Sequence, residues 1–80
     1  MVPITSSKTL GKVLRSYRKQ LGLTQTQAGK KFNLLQTSIS GIEAGRPGVR
    51  LDTVFRYMSA LGLEMHLEPR IKSEKDKGLW

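Results

Sequence analysis

The chain has 80 residues, a formal net charge of +8 and no cysteine. This length fits one small, marginally stable domain that a partner subunit would help, and the missing cysteine excludes disulfides and thiolate metal sites. A single histidine, His66, cannot build a zinc site or a catalytic triad, so we expect no enzyme activity, no metal and no cofactor. No segment has the roughly 20 apolar residues that span a bilayer, and there is no signal-like apolar run, so we expect a cytoplasmic location.

The positive charge is unevenly distributed along the chain. Residues 1–62 contain ten Lys or Arg against two acids, which gives +8, whereas residues 63–80 contain four of each. A basic domain of this kind can release counterions from nucleic acid phosphates, although a solvated basic face is the alternative. The two parts of the chain are therefore expected to have different tasks.

The first predicted helix begins at Ser6 or Ser7, either of which can cap it, and runs to about Leu21. Four apolar residues at helical spacing predict its buried stripe: Leu10, Leu14, Tyr17 and Leu21. Gly22 ends the helix.

Residues 23–45 predict a short helix, a tight turn and a second helix. Thr24 can cap a helix that starts at Gln25, and Ala28 and Phe32, four residues apart, face the core. Asn33 tolerates the left-handed conformation that a sharp turn needs. Gly29 allows the two helices to cross closely.

The second of these helices starts within residues 34–36 and turns Ile39 and Ile42 inward. Its other face carries short, uncharged, hydrogen-bonding groups: Gln36, Thr37, Ser40 and Gly41. Such a face suits the base edges of a DNA major groove, which is wide enough to admit a helix.

A loop over residues 44–50 leads to a fourth helix, whose apolar residues at helical spacing are Leu51, Val54, Phe55, Met58 and Leu61. Asp52 lies in its first turn, where a negative charge suits the helix dipole, and Gly62 ends it. Residues 63–68 then alternate apolar and polar side chains, as in a half-buried strand that stops at Pro69.

A single strand needs a partner, and no second strand is predicted. We therefore expect Leu63, Met65 and Leu67 to lie in a ribbon formed with the same strand of a second copy, giving a homodimer. In the alternative, these three residues fold back onto the fourth helix. The expected division is a domain over 1–62, a dimerisation strand over 63–69 and a flexible tail over 70–80, whose Leu79 and Trp80 either anchor a partner or fold back on the domain.

Residues 22–45, GLTQTQAGKKFNLLQTSISGIEAG, resemble the helix-turn-helix of the Xre/Cro repressor family at GLTQ, IS, IE and the last Gly. Ala28, Gly29 and Asn33 depart from the family's usual Leu, Ala and Gly, which affects stability more than fold. Together with the strand and a tail ending in Trp, the chain is similar to HipB-type antitoxins. The resemblance implies an all-α, lambda-repressor-like fold of about four helices with one C-terminal β-strand pairing across a homodimer.

The resemblance also implies a function: repression from a palindromic DNA operator and inhibition of a HipA-type toxin kinase, bound through Leu79 and Trp80, in the bacterial cytoplasm at the nucleoid. Implied base contacts are Leu35, Gln36, Thr37 and Ser40. Implied or candidate phosphate contacts are Arg18, Thr24, Gln25, Lys30, Lys31, Ser38, Arg46 and Arg50. Arg18 and Glu43 match a family ion pair that orients the helices. The alternatives are a stand-alone or phage-type Xre repressor without a toxin, and an interaction subunit without specific DNA binding.

Overall fold

A computed structural model describes residues 3–70 of the chain. Four helices follow one another: α1 (Ser7–Gln20), α2 (Gln25–Phe32), α3 (Gln36–Ala44) and α4 (Leu51–Ala60). The all-α, four-helix prediction is thus confirmed for this part of the chain. Within residues 3–70, no helix has the length and apolar character to cross a membrane.

Local side-chain chemistry sets where α1 and α2 begin and end. The Ser6 hydroxyl accepts a hydrogen bond from the Thr9 backbone N–H and caps α1. Thr24 and Gln27 form a reciprocal capping box at the start of α2. Asn33 ends α2 in the left-handed conformation with φ of 56°. These three predicted boundaries are confirmed.

The turn brings α2 and α3 close together, as predicted from Gly29. A Cβ at Gly29 would lie 2.7 Å from the backbone oxygen of Leu34, closer than a real side chain tolerates. Ala28 is fully buried and Phe32 packs on the core, while Ile39 and Ile42 are buried from α3. The helix pair therefore has its predicted inward faces.

The predicted stripe of α1 is wrong in its second half. Leu14 is buried, but Tyr17 is 41% exposed and Leu21 is 54% exposed. The buried face of α1 instead passes through Gly11, Leu14 and Arg18. The physical reason is that α1 packs closely on α3 at Gly11, which has no side chain. Further along the same face, Arg18 is buried because its charge is paired with Glu43 of α3.

The buried faces of α3 and α4 also need correction. Gly41, predicted on the exposed face of α3, is buried near Val49. On α4, Val54, Met58 and the following Leu61 are buried as predicted, but Leu51 and Phe55 are exposed. Tyr57 is fully buried in their place. Among residues 3–70, the buried hydrophobic core consists of Leu14, Ala28, Ile39, Ile42, Val54, Tyr57, Met58 and Leu61.

Residues 63–70 follow α4 without helix or strand structure in the single chain. Leu63 packs against the core, whereas Met65 is exposed and Leu67 is 88% exposed. The alternative in which this segment folds back onto the domain therefore holds for Leu63 alone. The ribbon between two copies stays a prediction. The predicted tail residues Leu79 and Trp80 lie outside the described residues.

Candidate nucleic-acid interface

The first turn of α3 presents the predicted base-contacting residues. Leu35 is the N-cap of α3 and makes no side-chain capping hydrogen bond, and its side chain is exposed. Gln36 and Thr37 are exposed, and Ser40, one turn later, is half-buried. The structure therefore brings the four predicted residues together at the beginning and along one side of one helix.

The exposed side chain of Gln36 is hydrogen-bonded to a neighbouring helix. Its Nε2 donates a hydrogen bond of 2.9 Å to Oε1 of Gln25, the first residue of α2. The Nε2 of Gln25 in turn donates a hydrogen bond of 3.1 Å to Oε1 of Glu43, near the end of α3. A connected chain of side chains thus joins the exposed start of α3 to a buried carboxylate.

Glu43 and Arg18 form a buried, bidentate ion pair between α3 and α1. The Arg18 Nε lies 2.7 Å from Glu43 Oε2, and its Nη2 lies 2.9 Å from Glu43 Oε1. A third nitrogen, Nη1, donates to the backbone oxygen of Leu23 at 2.6 Å. Breaking a buried pair of this kind typically costs about 3–5 kcal/mol, because the remaining charge loses its partner.

Tyr57 of α4 completes this group by donating its hydroxyl hydrogen bond to Glu43 Oε2. Glu43 therefore joins α1, α2 and α4 to α3, and the orientation of α3 depends on it. Sequence reasoning missed Tyr57. Tyr57 lies three residues after Val54 and four before Leu61, a helical spacing that would have placed it on the buried face of α4. Phe55 was chosen for that face instead because its side chain is more apolar.

The pKa values of these groups reflect their mutual hydrogen bonds. Burial raises the pKa of Glu43, but hydrogen bonds from Arg18, Tyr57 and Gln25 outweigh it and hold that pKa below its ordinary value. Burial, followed by the hydrogen bond to Glu43, raises the pKa of Tyr57 well above its ordinary value. The hydrogen bond to Glu43 raises the pKa of Arg18. Glu43 is thus a carboxylate and Tyr57 a neutral hydroxyl at neutral pH.

The predicted phosphate-contacting residues divide into two groups. The cations Lys30, Lys31, Arg46 and Arg50 are exposed, and Arg50 makes only a 3.4 Å solvent-exposed contact with Asp52. Such exposed pairs are weak, so Arg50 remains available to a phosphate. Arg18 is 5% exposed and already bonded to Glu43 and Leu23. Its placement argues for the structural role and against a phosphate contact.

The uncharged residues in that set have different surroundings. The Thr24 hydroxyl is used in the α2 cap, and Gln25 is half-buried beside Gln36. Ser38 lies in a shallow groove between α3 and the start of α4, lined also by Thr37, Gly41, Gly48, Val49, Arg50 and Thr53. The groove brings hydroxyl groups of α3 beside the Arg50 cation, a combination that suits an anionic backbone.

Residues 9–70 match the model of a family described as a helix-turn-helix domain. The chain belongs to this helix-turn-helix family. The chain is 33% identical over 64 residues to the antitoxin HipB of Escherichia coli, a match that covers 80% of this chain and 73% of HipB. It is therefore a HipB-like protein. It is also 36% identical over 56 residues to an uncharacterised helix-turn-helix transcriptional regulator of Methanothermobacter thermautotrophicus, covering 70% of this chain and 80% of that protein.

Solved structures agree with this assignment. The chain superposes with a TM-score of 0.75 and 31% identity on a chain of a HipB-O4 20mer complex, covering 84% of this chain and 94% of that one. The same values describe its likeness to a chain of a HipA-HipB-O2-O3 complex. The resemblance to HipB-type antitoxins predicted from the sequence is thereby confirmed.

Proposed function

We propose that this protein is a sequence-specific DNA-binding antitoxin and transcriptional autorepressor. The observation that carries the proposal is the exposed, polar start of α3, where Gln36 and Thr37 are accessible to base edges in a domain that superposes on a chain of a HipB-O4 20mer complex. In this proposal Gln36 reads adenine through its amide, and Leu35 and Thr37 contact thymine methyl groups. Ser40 completes the base-reading face.

The proposal assigns phosphate contacts to residues around α3. Gln25 and Thr24 would hold one phosphate at the N-terminus of α2, using backbone N–H groups of the first turn outside the Thr24–Gln27 capping box. Ser38 and Arg50 border the groove beside α3, and Lys30, Lys31 and Arg46 add exposed positive charge. These contacts position the domain on the duplex, while α3 supplies the sequence preference.

The operator is proposed to be an inverted repeat read by a homodimer. Leu67 and Met65 are exposed on the segment after α4, in the alternating pattern of a strand that needs a partner. Pairing of residues 63–69 in two copies would place two α3 helices about one turn of DNA, roughly 34 Å, or a multiple of it apart. A dimer with this symmetry binds a palindrome.

The toxin partner is proposed from the relatives. One relative is named an antitoxin, and one similar structure is that of a HipA-HipB-O2-O3 complex. We propose that a HipA-type kinase is the partner here and that Leu79 and Trp80 anchor it, because Trp is enriched at the centres of protein interfaces. Deletion of these two residues should weaken inhibition of the toxin and leave DNA binding intact.

A second function, a transcriptional regulator without a toxin, is favoured by one comparison. The similar Methanothermobacter thermautotrophicus protein is described as a transcriptional regulator and carries no antitoxin name. A kinase-like gene directly downstream of this gene distinguishes the two functions. DNA reading by α3 is common to both.

Fluorescence anisotropy of a labelled fragment from the gene's own upstream region tests the proposed DNA binding. Tight binding that exceeds binding to scrambled DNA and weakens steeply with salt is expected. Gln36→Ala should weaken specific binding by about 1–3 kcal/mol and relax the preference at one base pair per half-site. Gln20→Ala, on an exposed position of α1, is the matched control. If Gln36→Ala weakens binding to the specific fragment and to random DNA by the same factor, base reading by Gln36 is refuted.

A further inference from the structure

Four basic residues lie along one side of α1: Lys8, Lys12, Arg15 and Lys19. Their spacing of four, three and four residues keeps them within about 60° of arc, at roughly 100° per residue around an α-helix. All four side chains are exposed, and α1 contains no Asp or Glu. We call these four residues the α1 basic stripe. None of them belongs to the phosphate contacts proposed for residues around α3.

The stripe has no electrostatic partner in the part of the chain that the structure describes. Within residues 3–70, none of its four cations lies within ion-pair distance of a carboxylate. Like charges three or four residues apart repel each other and destabilise a helix. Lys8 also lies in the first turn of α1, where the helix dipole disfavours a positive charge. The stripe therefore lowers the stability of the free domain, and a bound anion relieves this cost.

The stripe lies on the same side of the domain as the exposed face of α3. Leu10 and Leu14 direct one side of α1 to the core, and Gly11 packs on the backbone of α3. The centre of the stripe is about 130–170° around α1 from the two leucines, but only about 70° from Gly11. The stripe therefore points away from the core beside α3, whose own polar face also points away from the core.

We propose that the α1 basic stripe binds the sugar–phosphate backbone of DNA, next to the groove that α3 reads. This inference rests on the proposed DNA binding and extends it by a contact surface on a different helix. The stripe is about 16 Å long, at about 1.5 Å for each residue from Lys8 to Lys19. One strand of B-DNA carries about five phosphates over that length. Each of the four cations can therefore contact a phosphate of its own.

The composition of the stripe favours nucleic acid over an acidic protein surface. Three of its four residues are Lys, which is depleted at protein interfaces. A Lys ammonium contacts phosphate as a point charge without a fixed geometry, which suits a backbone contact that carries no sequence information. The exposed aromatic side chain of α1, Tyr17, lies on the other side of the helix, about 170° away. The stripe thus lacks the apolar centre of a typical protein interface.

Fluorescence anisotropy with the full-length protein and the labelled upstream fragment, at several salt concentrations, tests this proposal. Lys12→Gln/Arg15→Gln removes two charges from the middle of the stripe. If each charge contacts one phosphate, the slope of the logarithm of the binding constant against the logarithm of salt concentration should become shallower by about 1.8. The loss of affinity between 50 and 200 mM salt should accordingly be about twelvefold smaller than for the wild type. The ratio of affinities for the specific and scrambled fragments should stay unchanged.

Two control variants separate a phosphate contact from other effects of charge. Arg56→Gln/Arg70→Gln removes the same charge from exposed positions outside the stripe, and its salt slope should match that of the wild type. Lys12→Arg/Arg15→Lys keeps the charge of the stripe, and its slope should also match. Lys12→Gln/Arg15→Gln should raise the midpoint temperature of thermal unfolding without DNA, because repulsion along α1 falls.

The outcomes distinguish this inference from the proposed function. Wild-type protein that discriminates between the fragments, together with an unchanged salt slope in Lys12→Gln/Arg15→Gln, overturns the inference alone. An equal change of slope in Arg56→Gln/Arg70→Gln also overturns it, because net charge and not the stripe would then set the slope. Wild-type protein that binds both fragments alike, with a slope that still depends on the stripe, overturns sequence-specific repression and supports the inference. A stripe variant that keeps its slope but no longer inhibits the toxin overturns the inference in favour of an acidic protein partner.

Discussion

Gly11 is the residue at which α1 contacts α3 most closely, and Gly11→Ala should destabilise the domain through that contact. A Cβ at this position would lie 2.4 Å from the backbone oxygen of Ile42 and 2.6 Å from that of Glu43. Ordinary contact begins at 3.4 Å, so the helices would have to separate by about 1.0 Å, the difference between 3.4 and 2.4 Å. Because both neighbours are backbone atoms, rotation of a side chain cannot relieve the overlap.

The size of the effect is a difference of two terms. Overpacking a core typically costs about 1–3 kcal/mol, and the upper part of that range applies where backbone must move. Alanine inside a helix is about 1 kcal/mol more favourable than glycine, which offsets part of the loss. We therefore expect Gly11→Ala to lower the free energy of unfolding by about 2 kcal/mol, a large share of the stability of a domain this small.

Urea unfolding followed by far-UV circular dichroism measures this difference as a shift of the midpoint at constant slope. Gly41→Ala is the matched control, because it is also a buried helical glycine but its Cβ would meet only the Val49 side chain, at an ordinary 3.7 Å. That variant should be as stable as the wild type or more stable. Equal midpoints for the wild type and Gly11→Ala would refute the close contact between α1 and α3.

Four further predictions concern the buried group around Glu43 and the exposed segment after α4. Tyr57→Phe should cost about 1–2 kcal/mol in urea unfolding, because Glu43 loses a hydrogen bond. The pKa of Tyr57 is raised in the folded protein, so the stabilisation that its neutral hydroxyl provides is present below pH 10.0 and is lost as the pH rises from there through the folded pKa. The wild type should therefore lose more free energy of unfolding in alkali than Tyr57→Phe does. The pKa of Glu43 is lowered in the folded protein, so the stabilisation that its carboxylate provides is present above pH 4.5 and is lost as the pH falls through the folded pKa. A midpoint temperature of thermal unfolding that stays constant between pH 6 and pH 3 would contradict this. Leu67→Glu should convert the proposed dimer to monomer in light scattering, whereas His66→Ala, on the opposite face of the predicted strand, should leave the mass unchanged.

The sequence by itself determined where the helices lie. Ser6, Thr24 and Asn33 act on backbone groups within a few residues of themselves, so their effects could be predicted without knowledge of the fold. The inward positions Ile39 and Ile42 followed from helical spacing. The ion pair of Arg18 with Glu43, which resemblance to a family suggested, is present in the structure.

Only the tertiary structure decided which side of α1 and α4 is buried. By apolarity Tyr17 and Phe55 were the better choices, yet Arg18 and Tyr57 occupy the buried positions. A polar side chain can be buried when its partners, on helices distant in sequence, satisfy its hydrogen bonds, and composition and spacing do not reveal those partners. The same limit applies to the hydrogen bonds that connect Gln36 through Gln25 to Glu43, because they arise only where the two helices α2 and α3 meet.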